Sequence, residues 1–206
     1  MRLQTRADLD AAVLGWLENR PADGELAQLL GVAVQGAEEA IANELRVRAM
    51  VVRVRQEIDD RYVTLPCDWL EALDIRLDSH ALTQITRDAS AATSQGGPAR
   101  HYSIVGDQLE VIPAQGGGSA APVSLELAYY ARPAALLAPT DSNAVLREHG
   151  LAYLYGTLLH TAMVLRDDER VARWAGLFTA QRDNANLAWQ RAQWSGGPLN
   201  ARIRAA

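Results

Sequence analysis

Residues 144–194 read AVLREHGLAYLYGTLLHTAMVLRDDERVARWAGLFTAQRDNANLAWQRAQW. From Ala144 to Arg166, and again from Asp168 to Trp194, apolar side chains recur at helical spacing; only the corner Arg166, Asp167, Asp168 and Glu169 separates the two runs. So short a corner leaves almost no loop, and the segments must fold back as an antiparallel helical pair. The first helix carries Val145, His149, Ala152, Gly156, Leu159 and Met163 along one stripe and Leu151, Leu154, Leu158 and Ala162 along another. Apolar on two sides, it must touch more than its hairpin partner. In the second helix Val171, Trp174, Ala175, Phe178, Leu187 and Ala188 fall mainly on one side, with Arg170, Arg173, Arg182 and Arg191 mostly elsewhere. A pair this large is built to pack, and its opening acids suit the helix dipole better than a metal ion.

Toward the amino terminus, Thr5 followed by Asp8 resembles a capping box, and Leu9, Val13, Trp16 and Leu17 then mark a helix ending near Arg20. A loop through Asp23 and Gly24 leads to a second helix with Leu26, Leu29, Leu30, Ala37, Ile41 and Leu45 on its apolar side. Gly31 and Gly36 each weaken it by about 1 kcal/mol relative to alanine and leave room for close helix contact. After Arg48 the period becomes alternating, with Val52 and Val54, then Tyr62 and Thr64, predicting a hairpin through Asp59 and Asp60. Pro66 precedes a short helix, Asp68 to Leu73. Strands follow at Ile75 to Asp78, Leu82 to Ile85, His101 to Val105, Gln108 to Ile112 and Val123 to Ala131, with a tight turn at Gly106-Asp107. Ala89 to Ala99 and Ala114 to Ala121 read as loops. Pro133 and Pro139 mark the exit from the sheet, and Thr140, Asp141 or Ser142 can cap the next helix.

The expected fold is α+β: a terminal helical bundle, made of two N-terminal helices and a long C-terminal helical hairpin, with an inserted small antiparallel β-domain. The boundaries read 1–48 for the N-terminal helices, 49–138 for the β insertion, 139–195 for the hairpin and 196–206 for an extended tail. That tail, following Ser195-Gly196-Gly197-Pro198, carries Leu199, Arg202, Ile203 and Arg204. Such a terminus is either disordered or docks into a partner.

Composition narrows the function. The chain has 206 residues, 49% of them hydrophobic and 22% charged, which places it among globular proteins able to bury a core without staples. Its one cysteine, Cys67, excludes an internal disulfide framework and multi-cysteine metal sites. No charge-free run approaches membrane-spanning length. Arg6, Asp8, Asp10 and Glu18 interrupt any leader-like stretch in Met1 to Arg20, so the expected setting is a reducing cytoplasm until assembly. All 20 basic side chains are arginine, which removes phosphate-loop, Schiff-base and kinase lysine chemistry. The net charge of −5 offers no general attraction to nucleic acid.

The candidate chemical sites are weak. Leu26 to Ile41 loosely imitates a helix-turn-helix, the basis of an alternative reading as a DNA-binding transcriptional regulator using residues 26–45. Its would-be recognition helix, however, carries Glu38, Glu39 and Glu44 and no arginine before Arg46. His80, His101, His149 and His160 are scattered; a second rival, a small hydrolase or metal enzyme, would use His160 with Asp167 and Asp168. Cys67 reads as a small packing residue, and Trp16, Trp69, Trp174, Trp189 and Trp194 as core or interface anchors. No catalytic, cofactor-binding or metal-binding residue is expected.

Several local strings resemble the tailed-bacteriophage head-tail adaptor (connector, or head-completion) family. Asn43-Glu44-Leu45-Arg46-Val47-Arg48-Ala49-Met50 resembles the end of that family's second helix, and Leu65-Pro66-Cys67-Asp68-Trp69-Leu70 its Leu-Pro-x-Asp-aromatic-Leu element. Tyr129-Tyr130-Ala131-Arg132-Pro133 with Leu136 is similar to its strand exit; Leu154-Tyr155 with Asp167-Asp168 and Trp174 resembles its closing hairpin. The chain departs from the family in having Ala144-Val145-Leu146 where a tryptophan often stands, and extra alanines after Pro133.

The resemblance implies a structural protein with no active site and no cofactor. It would form a ring, usually of twelve copies, between the portal protein and a tail or stopper/nozzle protein, in a virion assembled in the host bacterial cytoplasm. Genomic DNA would pass through the channel without specific binding, and no membrane is involved. Portal-contact candidates are Leu199, Arg202, Ile203 and Arg204; subunit-interface candidates are Leu151, Leu154, Leu158, Trp189 and Trp194.

Overall fold

Thr5 opens the first helix as its spacing predicts: its hydroxyl accepts from the Asp8 amide while the Asp8 carboxylate accepts from the Thr5 amide, a complete capping box. This helix, α1 (Arg6–Trp16), is followed by α2 (Gly24–Glu44) and a 3-10 turn, Arg48–Met50. Eight strands come next: β1 (Val51–Ile58), β2 (Tyr62–Thr64), β3 (Trp69–Leu77), β4 (His80–Ala81), β5 (Thr83–Gln84), β6 (His101–Val105), β7 (Gln108–Ile112) and β8 (Val123–Ala131). Three further helices follow among the described residues, α3 (Ala144–Glu148), α4 (Gly150–Val164) and α5 (Asp168–Trp194). The computed structural model describes residues 3–17, 24–86, 99–112 and 123–194. The expected end of helix one near Arg20, the loop through Asp23, most of the loops Ala89 to Ala99 and Ala114 to Ala121, and the tail 196–206 lie outside the described residues.

The protein is α+β, and its contacts divide it into two compact units, residues 1–50 with 133–206, and residues 51–132. In the helical unit α4 is the hub, touching α1, α2 and α5. Its Ala152, Tyr153, Leu158 and Ala162 are buried together with Leu30, Val34, Ala37 and Ile41 of α2 and Trp174 and Phe178 of α5. Small residues set the spacing. A Cβ at Gly156 would stand 3.1 Å from Ala37 Cβ and 3.3 Å from a Phe178 ring carbon, and one at Gly36 would stand 2.6 Å from His160 Nδ1.

The corner between α4 and α5 closes as the sequence requires. Arg166 sits at φ +55, with its amide donating to Met163 O (3.2 Å) and the Asp167 amide donating to Ala162 O (3.1 Å). That is a Schellman stop. Asp167 then caps α5, its carboxylate accepting from the Arg170 amide at 3.1 Å. The helix expected from Ala144 to Arg166 is broken, because His149 leaves helical geometry (φ −126, ψ 42) and α4 starts afresh behind it. The cap before this pair is Asn143 rather than Thr140, Asp141 or Ser142: its Oδ1 accepts from the Leu146 amide at 2.8 Å. Asp141 turns the other way and accepts from the Leu137 amide, also at 2.8 Å.

The second unit holds two four-stranded sheets, ordered β1-β8-β3-β4 and β2-β7-β6-β5, antiparallel except for the β5–β6 pair. Ile58, Ile75, Leu125 and Leu127 from the first sheet and Val63, Tyr102, Leu109 and Val111 from the second belong to one apolar cluster. Two expectations are corrected. First, β1 and β2 form no hairpin; the inner row Val52, Val54, Ile58 stands opposite Tyr129, Leu127 and Val123 of β8, while Val63 of β2 stands opposite Leu109 of β7. A long apolar partner row outcompetes the nearest strand in sequence. Second, Asp68 to Leu73 is no helix, since Trp69 begins β3. Register shifts at Trp69/Glu71 and Ala72/Asp74 displace the alternation of its side chains, so the apolar spacing imitates a helical one.

The glycines of α2 provide a matched test. Gly36→Ala should destabilise the protein by about 1–2 kcal/mol, because overpacking against the root of the His160 ring outweighs the gain in helix propensity. Gly31→Ala meets nothing within 4 Å and should stabilise by up to about 1 kcal/mol. Urea denaturation of the two variants beside the parent measures both signs.

Candidate functional site

The helical hairpin is where the sequence places surplus apolar surface, and the described side chains show how much of it is left over. On α4, Leu158 is 1% and Leu154 6% exposed. Both therefore lie inside the chain's own core, and of that stripe Leu151, 47% exposed, is the residue left outside. Trp189 is half-buried, and the Trp194 side chain lies outside the described residues, as do Leu199, Arg202, Ile203 and Arg204. The sequence reading found the corner but did not single out the exposed apolar residues that lead into it. Met163, Val164 and Leu165, three consecutive apolar residues, are all exposed at the end of α4. The helix ends at Val164 with Leu165 as its C-cap, so this last apolar turn lies at the mouth of the corner.

Leu151 borders an open cleft of about 620 Å³ shared with Leu3, Gln4, His149, Leu154 and Gln181. The broken helix creates it: α3 and α4 meet at His149, whose amide donates to Val145 O at 2.7 Å and whose carbonyl accepts from Ala152 at 2.9 Å. Arg48 and Glu148 pair at 3.9 Å on an exposed flank. Burial pushes the His149 imidazole below its ordinary pKa, with Glu148 opposing. His160, packed on α2, is lowered by burial in the same way, with Glu39 opposing.

The other sequence candidates are dispersed. Residues 26–44 belong to one uninterrupted helix, α2, with no turn to divide two DNA-binding helices. That removes the structural basis of the regulator reading. His80 and His101 lie on β4 and β6, and His149 and His160 at opposite ends of α4. Among the described residues no three His, Cys, Asp or Glu side chains gather in a metal-holding group. Asp167 is engaged instead by Arg170, whose Nε lies 3.2 Å from its carboxylate. Cys67 is exposed, which corrects its reading as a packing residue.

Four of the five tryptophans are placed by packing or stand half-exposed. Trp174 is buried between Trp16, edge-on at 5.4 Å, and Tyr155, stacked at 6.1 Å. Trp69 stacks on Tyr129 at 4.8 Å, whose hydroxyl donates to Asp68 at 3.0 Å. Burial first, and then Asp68, push that phenol up to about 12. The Asp-aromatic pair noted in the sequence therefore anchors the head of β3 to β8.

Compared with known proteins, residues 4–202 match the family described as SU10 adaptor protein. No curated protein matches the chain.

The two histidines predict a pH response. Both folded pKa values lie below the ordinary 6.5, so the native state binds fewer protons than the unfolded chain. Their contribution to stability is complete above the unfolded pKa and declines as pH falls through it toward the folded values. The melting temperature should drop on going from neutral pH to about pH 5, and His160→Gln should flatten part of that slope in a calorimetric pH series.

Proposed function

The chain belongs to the SU10 adaptor protein family, and from that premise we propose that it is the head-tail adaptor of a tailed phage or phage-like particle, a ring subunit joining the portal to the tail or its stopper. The family match over nearly the whole chain carries this reading. The terminal helices act as the bundle that makes the ring, of twelve copies, and the β unit is an insertion in it. Exposed apolar residues on and beside α4, Leu151 and the Met163 to Leu165 corner, supply contacts of the kind a closed heterologous interface uses, and half-buried Trp189 extends the candidate surface along α5; Trp194 is assigned to the same interface from the sequence alone.

Portal contact is assigned to the segment after α5, with Leu199 and Ile203 as apolar anchors and Arg202 and Arg204 as ion-pair donors. An acidic subunit, −5 in net charge, repeated around a channel lets DNA slide without being held. No helix among the described residues is long and apolar enough to cross a membrane, and the working site is the virion, after assembly in the host cytoplasm. The role is structural, with no reaction and no cofactor.

Deleting residues 196–206 should leave melting behaviour unchanged and abolish co-sedimentation with portal, whereas the full chain mixed with its portal should give a stacked ring in electron micrographs. A truncated form that joins portal as well as the parent does rules out the tail as the attachment. Full-length protein that never associates with portal rules out the adaptor role.

A further inference from the structure

Strand β1 is the outer strand of its sheet, bonded to β8 on one side only. Alternate residues of such a strand turn their N–H and C=O groups away from the sheet. None of the turn, loop or cap hydrogen bonds among the described residues reaches Val51–Ile58. Open edges are ordinarily blunted by shortness, proline, a bulge, an inward-pointing charge, a covering loop or charged side chains, and of these β1 carries only charges, Arg53, Arg55 and Glu57, which repel an unmatched strand and pair with a matched one. This one has eight residues, no proline and an unbroken register with β8; both register shifts of the sheet fall between β3 and β8. Its inner row is Val52, Val54, Gln56 and Ile58, and its outer row is Arg53, Arg55 and Glu57.

The order of these side chains selects an occupant. We propose that β1 pairs antiparallel with β1 of a second copy about a two-fold axis through Gln56, giving a dimer joined by a continuous sheet. In that register Arg55 stands opposite Glu57, Arg53 opposite Asp59 and Val54 opposite Ile58, each pair occurring twice, with Gln56 facing its own symmetry mate. Neighbouring registers fail. An axis at Arg55 sets Arg55 against itself, one at Val54 sets Arg53 against Arg55, and one at Glu57 sets Glu57 against itself.

The groups concerned are available. Among the described residues Arg53, Glu57 and Asp59 are exposed and make no ion pair, and the Arg55 side chain is 71% exposed. Arg55 Nε bonds Ser124 Oγ at 2.7 Å and lies 3.8 Å from Glu126 Oε1 within its own sheet, and the two Nη groups remain to face a carboxylate across the new strand pair. Gln56 Nε2 is buried without a hydrogen-bond partner, and the carbonyl of the opposing Gln56 amide supplies an acceptor. Such a contact is isologous and closes at two copies. It is a form of the protein separate from the ring, and it does not depend on the adaptor reading.

Sedimentation of the full chain without portal tests the pairing. A concentration-dependent monomer-dimer equilibrium is expected. Arg55→Glu or Glu57→Arg alone sets like charges opposite one another twice and should weaken self-association by about tenfold or more; the two together restore the complementarity and the dimer. In a Cys67→Ser background, Gln56→Cys should give a disulfide-linked dimer on mild oxidation, and Arg53→Cys should not, because position 56 alone faces itself. A chain that stays monomeric at its highest soluble concentration overturns the proposal. So do single reversals that leave the dimer intact, a double reversal that fails to restore it, or equal cross-linking at position 53.

Discussion

The helical unit depends on how the backbone of one residue, Leu136, is held. Leu136, itself buried, donates its N–H to Glu38 Oε1 at 2.8 Å and accepts from Arg6 Nη1 at its carbonyl at 2.7 Å. Arg6 is buried as well and is balanced by Asp10 at 2.8 Å. A charge taken out of water is tolerated only where its hydrogen-bonding capacity is used, and removing one member of such a set commonly costs about 3–5 kcal/mol. Here two opposite charges, from α1 and α2, hold the N–H and the C=O of one residue, which belong to the two successive peptide groups flanking it. The returning chain can therefore run in one position only. The same stretch is tied to α4, since Asn143 Nδ2 donates to Ala134 O and to the Tyr153 hydroxyl, both at 2.8 Å. Burial holds the Tyr153 phenol well above its ordinary value, with Glu38 adding to the shift.

This clamp explains why α4 can be buried on so many sides. Once residues 133–143 are fixed against α1 and α2, the hairpin that follows must lay α4 into the space between α1, α2 and α5. Gly156 and Gly36 let the backbones approach. Most of the apolar excess visible in its sequence is absorbed there. Outside that packing, Leu151 beside the cleft and the three residues of the corner stay exposed, as do Val32 of α2, Leu137 of the returning segment and Leu177 and Leu187 of α5.

Elements held by local chemistry were legible from residues alone. The Thr5–Asp8 box, the ends of β6, β7 and β8, the turn at Gly106-Asp107 and the corner at Arg166 all rest on contacts within a few positions in sequence. Elements decided by distant competition were not. The Asp68 to Leu73 segment looked helical because its bulges distort the alternation, and β1 was assigned to β2 because nearness in sequence is a poor guide when β8 offers a longer apolar row. Asn143 outdid three neighbouring caps because it also satisfies Ala134 and Tyr153, partners that no local pattern announces. Of the candidate interface residues, Leu151 is exposed while Leu154 and Leu158 are buried within the chain; helical periodicity separates stripes but does not tell which stripe meets the protein's own α2.

The sequence by itself determined the α+β class, the helical hairpin and its acidic corner, and the family to which the chain belongs, since each of these is carried by short-range pattern or by residue order. Only the tertiary structure decided how the strands pair, which apolar stripe becomes core, and where the returning segment is gripped. Those outcomes turn on residues far apart in the chain, such as Arg6 and Leu136 or Val54 and Leu127, competing for the same buried space, and that competition is settled by packing and by the satisfaction of buried charge rather than by any local preference.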